Sequence, residues 1–495
     1  MQRYLCFDIG AGSGRALLAS FDGDKLTVDE YGRFASSAVR TSRGVYWDVL
    51  SITASIKNIL AQAGTQGIAI HSIGIDCFGV DFGLLSRSGE LLGNPMCDMD
   101  PRTAGILESS KDLWNAKELY AQTGAQIYEM TTLFQLAALK REGNDILNFA
   151  ATFLMMPDLL NYMLTGEACS EFTVSSTSNL LKLSAPEWNA PLIERFGLNR
   201  NMFINPVLSG NAKFRLSSIL RDELLINDVD VVTVAGHDTA SAVAALPDTG
   251  GDAIFISSGT WSIIGAVTDK PIIDARFAGV LSNEGCHDGK NRLIKNLLGM
   301  KFLQDLKAAW ARAGKDMSYS QLDLAMEHTK PFGVFIDPEN MAYFSGLNMP
   351  RLIEGYCMKS GQQLPEGVGE YMRTVNESLA LSYRESIGQI ELACGRTFSR
   401  IFILGGGVQN HHLCQMTADA TGKPVSAWYK ESAAFGNALI QAFAAGSIEQ
   451  RDMPACAKAS HTAMEFTPAN TSKWDEQYEK FLKLKKKWYD QGTDF

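Results

Sequence analysis

Apolar and polar residues alternate in blocks that change period along the chain. In "RYLCFDIGAGSGRALLASFDGDKLTVDEYGRF", Tyr4–Ile9 reads as a buried strand and Ala16–Phe21 as a second. A glycine turn separates the two, and Phe21-Asp22-Gly23-Asp24 makes a hairpin-like turn into a third strand. "DVLSITASIKNILAQAG" switches to helical spacing, closed by Gly64. "IAIHSIGIDCFGVDFGLLSRSGELLG" returns to strands. Three strands, a helix and a strand are not the strict alternation of a dinucleotide-binding sheet.

The opening layout recurs. "DAIFISSGTWSIIGAVTDKP", Asp252–Pro271, is again an apolar strand, a short Gly/Ser/Thr turn, an apolar strand and a polar turn. "SRIFILGGGVQNHHLCQMTADATGKPV" then supplies a strand, a triple-glycine turn and a helix. Two halves that open alike predict a duplicated domain, with the boundary near Ala245–Gly251, where "LPDTGGD" is loop-like. The tail "EFTPANTSKWDEQYEKFLKLKKKWYD" reads as one amphipathic helix packed back on the body, its lysine run a solvated face.

Bulk properties narrow the class. At 495 residues, two large or three smaller domains are expected. Hydrophobic residues make up 46% and charged residues 20%, enough for sizeable cores. A net charge of −10 argues against nucleic acid as a partner, which calls for a basic face. "MQRYLCFDIGAGSGR" has an acid and glycines where a secretory apolar core would run, and no apolar run approaches the ~20 residues of a membrane span. The nine scattered cysteines contain no CxxC and suit free thiols in a reducing cytoplasm. His411-His412 with Cys414 lacks four-ligand zinc spacing.

The glycine loops carry the first chemistry. "DIGAGSGR" is not a dinucleotide fingerprint, because Arg15 stands where GxGxxG needs glycine and a strand follows the turn. No GxxxxGK[ST] occurs. What remains is a strand-to-strand turn whose N–H groups, Ser13 hydroxyl and Arg15 guanidinium can receive an anion, or a plain hairpin turn. "SSGTWS", with Gly259 and Thr260, opens the other half in the same way, so two such turns could hold a polyphosphate between domains. "LGGGVQN", Leu404–Asn410, is either a tight strand–helix turn or a place where a flat base lies against the backbone.

"VVTVAGHDTASAVAALP" poses a sharper question. His237, Asp238 and Thr239 interrupt a run that reads as a buried strand turning into a helix. A buried charge costs several kcal/mol, on the order of the penalty for an unpaired ion, unless it is paired or used. Asp238 is either a helix N-cap, worth about 1 kcal/mol, or a rigidly held general base, and the two roles are compatible.

Taken together, these segments resemble the FGGY carbohydrate kinases, nearest their rhamnulokinase-like branch. The resemblance covers nearly the whole chain. "DIGAGSGR" is similar to the family's first phosphate loop, and "IDCFGVDFGLL" and "DPRT" to its sugar-side segments. "MPDLLNYMLTG", "GHDTASAV", "SSGTWS", "NEGCHDGKNRLIKNLLGMKFLQ" and "LGGGVQN" follow in the family's order. "GHDTASAV" and "KNLLGMKFLQ" are particular to the rhamnulokinase-like branch, whereas the glycine turns are shared more widely. Two sugar-side segments depart from it. Cys77-Phe78 stands where the branch more often carries Thr-Trp, and Asp98-Met99-Asp100-Pro101 replaces the usual Tyr-Arg-Asp-Ser. Both leave the exact sugar open.

The resemblance implies an α/β fold of two ribonuclease H-like (actin/hexokinase-type ATPase) domains flanking a central cleft. It implies an N-terminal sugar-binding domain over 1–245, a C-terminal nucleotide-binding domain over 246–450 and a helical segment over 451–495. Asp238 would be the general base. Gly79, His237, Thr239 and Asn296 would join it at the sugar. Ala11, Gly12, Ser13, Gly14, Arg15 and Thr260 would contact ATP phosphates, Gly406 and Asn410 the adenosine, and Gln304 the nucleotide. Mg²⁺ would accompany ATP, with Asp8 reaching it through water.

The implied activity is transfer of the γ-phosphate to O1 of L-rhamnulose, a step of L-rhamnose catabolism. L-Fuculose, differing at C4, or another ketose is the near alternative, and a silent sugar or nucleotide sensor the distant one. A cytoplasmic monomer or homodimer, with sugar and ATP as its partners, completes the expectation.

Overall fold

A computed structural model describes all residues except 227, 249–250, 341–342, 344–347 and 491–495. Part of the boundary expected at Ala245–Gly251 and the end of the 451–495 segment therefore lie outside the described residues. The chain splits into two compact units. One comprises Met1–Thr249, Val267–Leu293 and Glu431–Thr462, and the other Gly250–Ala266, Ile294–Lys430 and Ala463–Phe495.

The first unit is built on β1 (Gln2–Ile9), β2 (Ser13–Phe21), β3 (Leu26–Ala35), β4 (Ser72–Cys77), β5 (Lys213–Arg215) and β6 (Asp230–Val232). They form one sheet in the order β5-β6-β4-β1-β2-β3. β1, β2 and β3 pair antiparallel, β4 runs parallel to β1, β6 parallel to β4, and β5 closes the edge antiparallel. Helix α1 (Val49–Thr65) buries Val49, Ile52, Ile56, Ile59, Leu60 and Ala63 in the core that also holds Leu5, Phe7, Ile73 and Ile75. It runs past Gly64 to a C-cap at Gln66. The other helices needed for the site are α2 (Met156–Thr165), α3 (Asp238–Ala244) and, in the second unit, α4 (Lys301–Arg312).

The second unit repeats the plan with β7 (Ala253–Ser258), β8 (Trp261–Thr268), β9 (Ser282–Gly285), β10 (Asn291–Leu298), β11 (Arg400–Leu404), β12 (Val425–Ala427) and β13 (Met464–Phe466). The end of β8, all of β9 and the first residues of β10 are nonetheless counted in the first unit, which takes in Val267–Leu293. β7 pairs antiparallel with β8 and parallel with β11, β12 follows parallel, and β13 closes antiparallel. In the sheet order β9-β10-β8-β7-β11-β12-β13, the six strands from β10 to β13 thus mirror β3-β2-β1-β4-β6-β5, and the repeat read from "DAIFISSGTWSIIGAV" extends over all of the sheet but its edge strand β9.

The long helix α5 (Gly367–Cys394) and α6 (His411–Thr421) complete the second unit, together with α8 (Thr471–Asp490). The tail is not a single helix. Its first residues form β13, where Glu465 accepts from the Ser426 hydroxyl at 2.8 Å, and the helix starts at Thr471. On α8, buried Lys485 donates to Glu339 and Glu385, each at 2.8 Å. Helix α7 (Ser432–Ala444) packs instead on the first sheet, where Asn437 and Gln441 reach Asp76 and Ser72. No helix among the described residues is long and apolar enough to cross a membrane.

Candidate active site

The candidate residues of the first unit gather at the carboxyl ends of its parallel strands, the usual ligand edge of an α/β sheet. Asp8 and Asp76 are each the last but one residue of their strands, β1 and β4, and Asp238 follows β6. After β6 the backbone stays extended alongside β4, with Cys77 N–H donating to the Gly236 carbonyl at 2.8 Å. From the other side, Glu171 Oε2 accepts from Gly236 N–H at 3.0 Å and Thr173 Oγ1 from His237 N–H at 3.3 Å. The turn that presents Asp238 is therefore clamped on both flanks.

Asp238 is the first residue of α3, and His237 takes the N-cap place by its backbone, without a side-chain cap bond. The Asp238 carboxylate is 40% exposed, whereas the His237 ring is 9% exposed. Asp238 Oδ1 accepts from the Thr239 hydroxyl at 3.1 Å. The carboxylate is thus held locally with an open side, the arrangement a proton acceptor needs.

Around it lie more acids than the sequence singled out. The charge of Asp238 helps to raise the pKa values of Asp8, Asp76 and Cys77, though burial is the largest cause at each. Asp8 is bonded to Arg15, whose other terminal nitrogen is bonded to Glu431. Asp76 Oδ2 accepts from Asn437 Nδ2 at 2.7 Å, and its Oδ1 is buried with no partner among the described residues. His237 also faces Glu284 and Arg292. Asp76, Glu431, Glu284 and Arg292 were not assigned roles from sequence. Only Asp76 gave a signal: like Asp8, it is a lone acid in an apolar strand, in "IGIDC".

The first glycine turn is tight, with Gly10 N–H donating to the Ser13 carbonyl at 3.1 Å. Ala11, Gly12 and Ser13 are exposed, and a Cβ at Gly12 would meet nothing within 4 Å. Gly14 has a packing reason instead, since a Cβ there would lie 2.3 Å from the Phe34 ring. Gly79 sits in the loop after β4, where a Cβ would come 2.9 Å from Thr177. Val80, beside it, has φ +65° and is pinned by Thr177 Oγ1 on its N–H and by the Thr132 hydroxyl on its carbonyl. A β-branched residue in the left-handed region is strained, and these bonds hold it there. Phe78 stacks on buried Trp47 at 4.4 Å between ring centroids.

In the second unit, Thr260 is exposed in the β7–β8 turn, and its carbonyl accepts from Gly299 N–H at 2.9 Å at the start of α4. Exposed Gln304 lies in the first turns of that helix. The triple-glycine turn packs on the end of β7, where a Cβ at Gly407 would lie 2.0 Å from Ser258 Oγ, while Gly406 is exposed. Thr260, Gln304 and Gly406 thus share the carboxyl edge of β7 and β11. Asn410 is engaged differently. Its Oδ1 caps α6 through Leu413 N–H at 3.0 Å and its Nδ2 donates to Asn376 at 2.7 Å. Asn296, on β10, has a buried Oδ1 with no partner among the described residues.

Residues 3–245 match the N-terminal domain, and residues 254–445 the C-terminal domain, of the FGGY family of carbohydrate kinases. The chain belongs to this family. As an FGGY kinase it is 35% identical over 479 residues to the rhamnulokinase of Bacteroides thetaiotaomicron, covering 96% of this chain and 98% of that one. It is 34% identical to the rhamnulokinase of Oceanobacillus iheyensis, over 90% and 94% of the two chains. Its fold is that of the xylulose kinase of Lactobacillus acidophilus, with a TM-score of 0.82, 99% of each chain covered and 15% identity. The actin/hexokinase-type ATPase fold expected from sequence is therefore present, and this FGGY member is a sugar phosphotransferase. FGGY kinases use ATP as the phosphate donor.

Proposed function

We propose that the protein transfers the γ-phosphate of ATP to O1 of L-rhamnulose, giving L-rhamnulose 1-phosphate. The observation that carries phosphoryl transfer to a hydroxyl is Asp238: a rigidly clamped, half-open carboxylate at the ligand edge of the sheet. The choice of sugar is supported by the full-length likeness to rhamnulokinases.

In this reading Asp238 removes the proton of the acceptor hydroxyl as its oxygen attacks phosphorus, a contribution of about 10²–10⁴ in rate. His237, Thr239, Gly79 and Asn296 orient the sugar. The buried Oδ1 of Asn296, without a partner among the described residues, supports its place in that set. Ala11 to Arg15 and Thr260 receive phosphate oxygens. The Arg15 guanidinium has five N–H donors and uses two terminal nitrogens on Asp8 and Glu431, so donors remain. Gln304 and Gly406 meet the nucleotide. With both groups of its side chain engaged, Asn410 supports the adenosine through the turn it caps.

Asp8 and Asp76 fit Mg²⁺. They supply the hard oxygen donors this ion prefers, and the buried Asp76 Oδ1 lacks any other partner among the described residues. Asp8 would hold the ion through water, with Asp76 as the second carboxylate. When bound there, Mg²⁺ would offset charge on the transferring phosphoryl group. We further propose sequence domains 1–245, 246–450 and 451–495, and a cytoplasmic location.

A panel of ketoses in a coupled ADP-release assay tests the reading. L-Rhamnulose is expected to give the highest kcat/KM. A higher value with L-fuculose overturns the sugar, ADP release without sugar marks a bare ATPase, and none with any sugar marks a sensor.

A further inference from the structure

The two residues ahead of Asp238 hang on one buried acid. Glu171 is buried, and the backbone that carries it is anchored twice. Its N–H donates to Asp158 Oδ2 at 3.2 Å, and the next N–H, that of Phe172, donates to the Val207 carbonyl at 2.9 Å. Its side chain spreads over four donors. Oε2 accepts from Val174 N–H at 3.1 Å and from Gly236 N–H at 3.0 Å, with the Thr173 hydroxyl 2.6 Å away. Oε1 accepts from the Ser209 hydroxyl at 2.7 Å. Gly236 leaves little slack here, because a Cβ would lie 3.0 Å from Pro157 and Val174 and 3.2 Å from Oε2.

Hydroxyl hydrogens rotate, but a peptide N–H can only donate. Two such groups, of Val174 and Gly236, point at Oε2, so this oxygen is an acceptor and the Thr173 hydroxyl donates to it. With its hydrogen committed there, Thr173 Oγ1 presents lone pairs to His237 N–H, which reaches it at 3.3 Å. The N–H of Gly236 thus ends on Glu171 directly, and that of His237 ends on it through Thr173. Capping the short helix Phe172–Ser175 needs only the bond from Val174 N–H. The bonds to Gly236 and His237 cross the fold to a segment more than 60 residues away.

We propose that Thr173, oriented by Glu171, is a positioning residue for Asp238. It fixes the His237 peptide and through it the point at which the carboxylate meets the acceptor hydroxyl. This rests on Asp238 being the base. A base works only within hydrogen-bond reach of the proton it takes, and a displacement of about 1 Å can cost about 10² in rate. A His237 N–H left without its acceptor would draw the turn towards another partner.

Thr173→Val removes the hydroxyl and keeps the shape. Glu171 still holds Gly236, so only the His237 peptide is released. The expected result is a fall in kcat of at least about 10-fold, larger than any rise in sugar KM. A smaller fall, or a loss carried mainly by KM, overturns the proposal. Thr173→Ser returns the hydroxyl but deletes a buried methyl group. It is expected to keep kcat within about 3-fold of wild type even where it melts lower. Activity that follows Tm across the two variants, and not the hydroxyl, makes Thr173 a packing residue and overturns the proposal. If Thr173→Val does not fold, Thr173→Ala, which also lacks the hydroxyl, is held to the same limits. Asp238→Asn, assayed in parallel, separates two failures. Turnover above about a tenth of wild type there removes the base itself. An inactive Asp238→Asn beside a fully active Thr173→Val removes only the positioning role.

Discussion

Asp8 and Asp76 are register partners on the adjacent parallel strands β1 and β4, so two buried acids stand side by side on one sheet edge. Burial raises both pKa values, that of Asp76 well above the ordinary range, and at Asp76 the charge of Asp8 is the next cause. Arg15 opposes the rise at Asp8, whereas Asp76 has only a neutral amide from Asn437 and, more weakly, the field of Arg15. Such a pair is unfavourable for the fold alone and suited to a divalent cation.

Asp76→Asn should therefore separate stability from activity. The amide oxygen can still accept from Asn437, and a buried carboxyl that burial and Asp8 make costly to ionise is gone. In EDTA at neutral pH the variant is expected to melt a few degrees higher, on a scale of about 2–4 °C per kcal/mol. Turnover with Mg²⁺ should fall at least about 10-fold, below the stabilisation typical of charge neutralisation at a transferring phosphate. Differential scanning fluorimetry should show Mg²⁺ raising the Tm of wild type more than that of the variant. A lower Tm for the variant in EDTA contradicts the account.

Glu284 has the opposite sign. Its folded-state pKa lies below the ordinary value near 4.3, so its ionised form is favoured by folding. The stability this adds is fully present above that ordinary value and is lost as pH falls through the lower folded one. Glu284→Gln is expected to show a Tm deficit that is constant above about pH 5 and narrows below about pH 4. Melting curves across pH 3.5–8 check it, and a deficit that widens in acid would contradict it.

Local patterns carried the strands, the two glycine turns and the duplication, because each is written in a few consecutive residues. Asp238 was visible as a charge inside an apolar run, and Asp8 entered through the family resemblance. Their partners were not visible. Glu431 is 416 residues from Arg15, and Asn437 is 361 from Asp76, distances over which no periodicity speaks. Glu284 and Arg292 lie in a segment quoted only for its resemblance, and nothing local marks that they face His237. The tail misled because its helical spacing from Thr471 hides the strand pairing of Met464–Phe466.

Gly436 shows what holds helix α3. A Cβ there would lie 1.8 Å from the Ser241 carbonyl oxygen, backbone that cannot swing aside as a side chain can. Gly436→Ala must push α7 from α3, whose first residue is Asp238. Overpacking of this kind costs about 1–3 kcal/mol, so a lower Tm is expected, with kcat falling more than sugar KM rises. Gly388→Ala is the control. It lies exposed within α5 with no atom within 4 Å of a new Cβ, and it should be neutral or stabilise by up to about 1 kcal/mol. Equal melting of both variants would refute the close helix contact.

Asp238→Asn addresses the chemistry. The amide keeps the size of the carboxylate and can still accept from Thr239, so the turn clamped by Glu171 and Thr173 should survive. What it lacks is basicity. Sugar affinity, measured by calorimetry without nucleotide, is expected within about 3-fold of wild type, whereas kcat should fall by about 10²–10⁴, the contribution of a positioned base. Positioning and charge stabilisation would remain, so residual turnover above the uncatalysed rate fits the reading. A variant that loses sugar binding and turnover together would instead make Asp238 a binding group, and the proton would then need another acceptor.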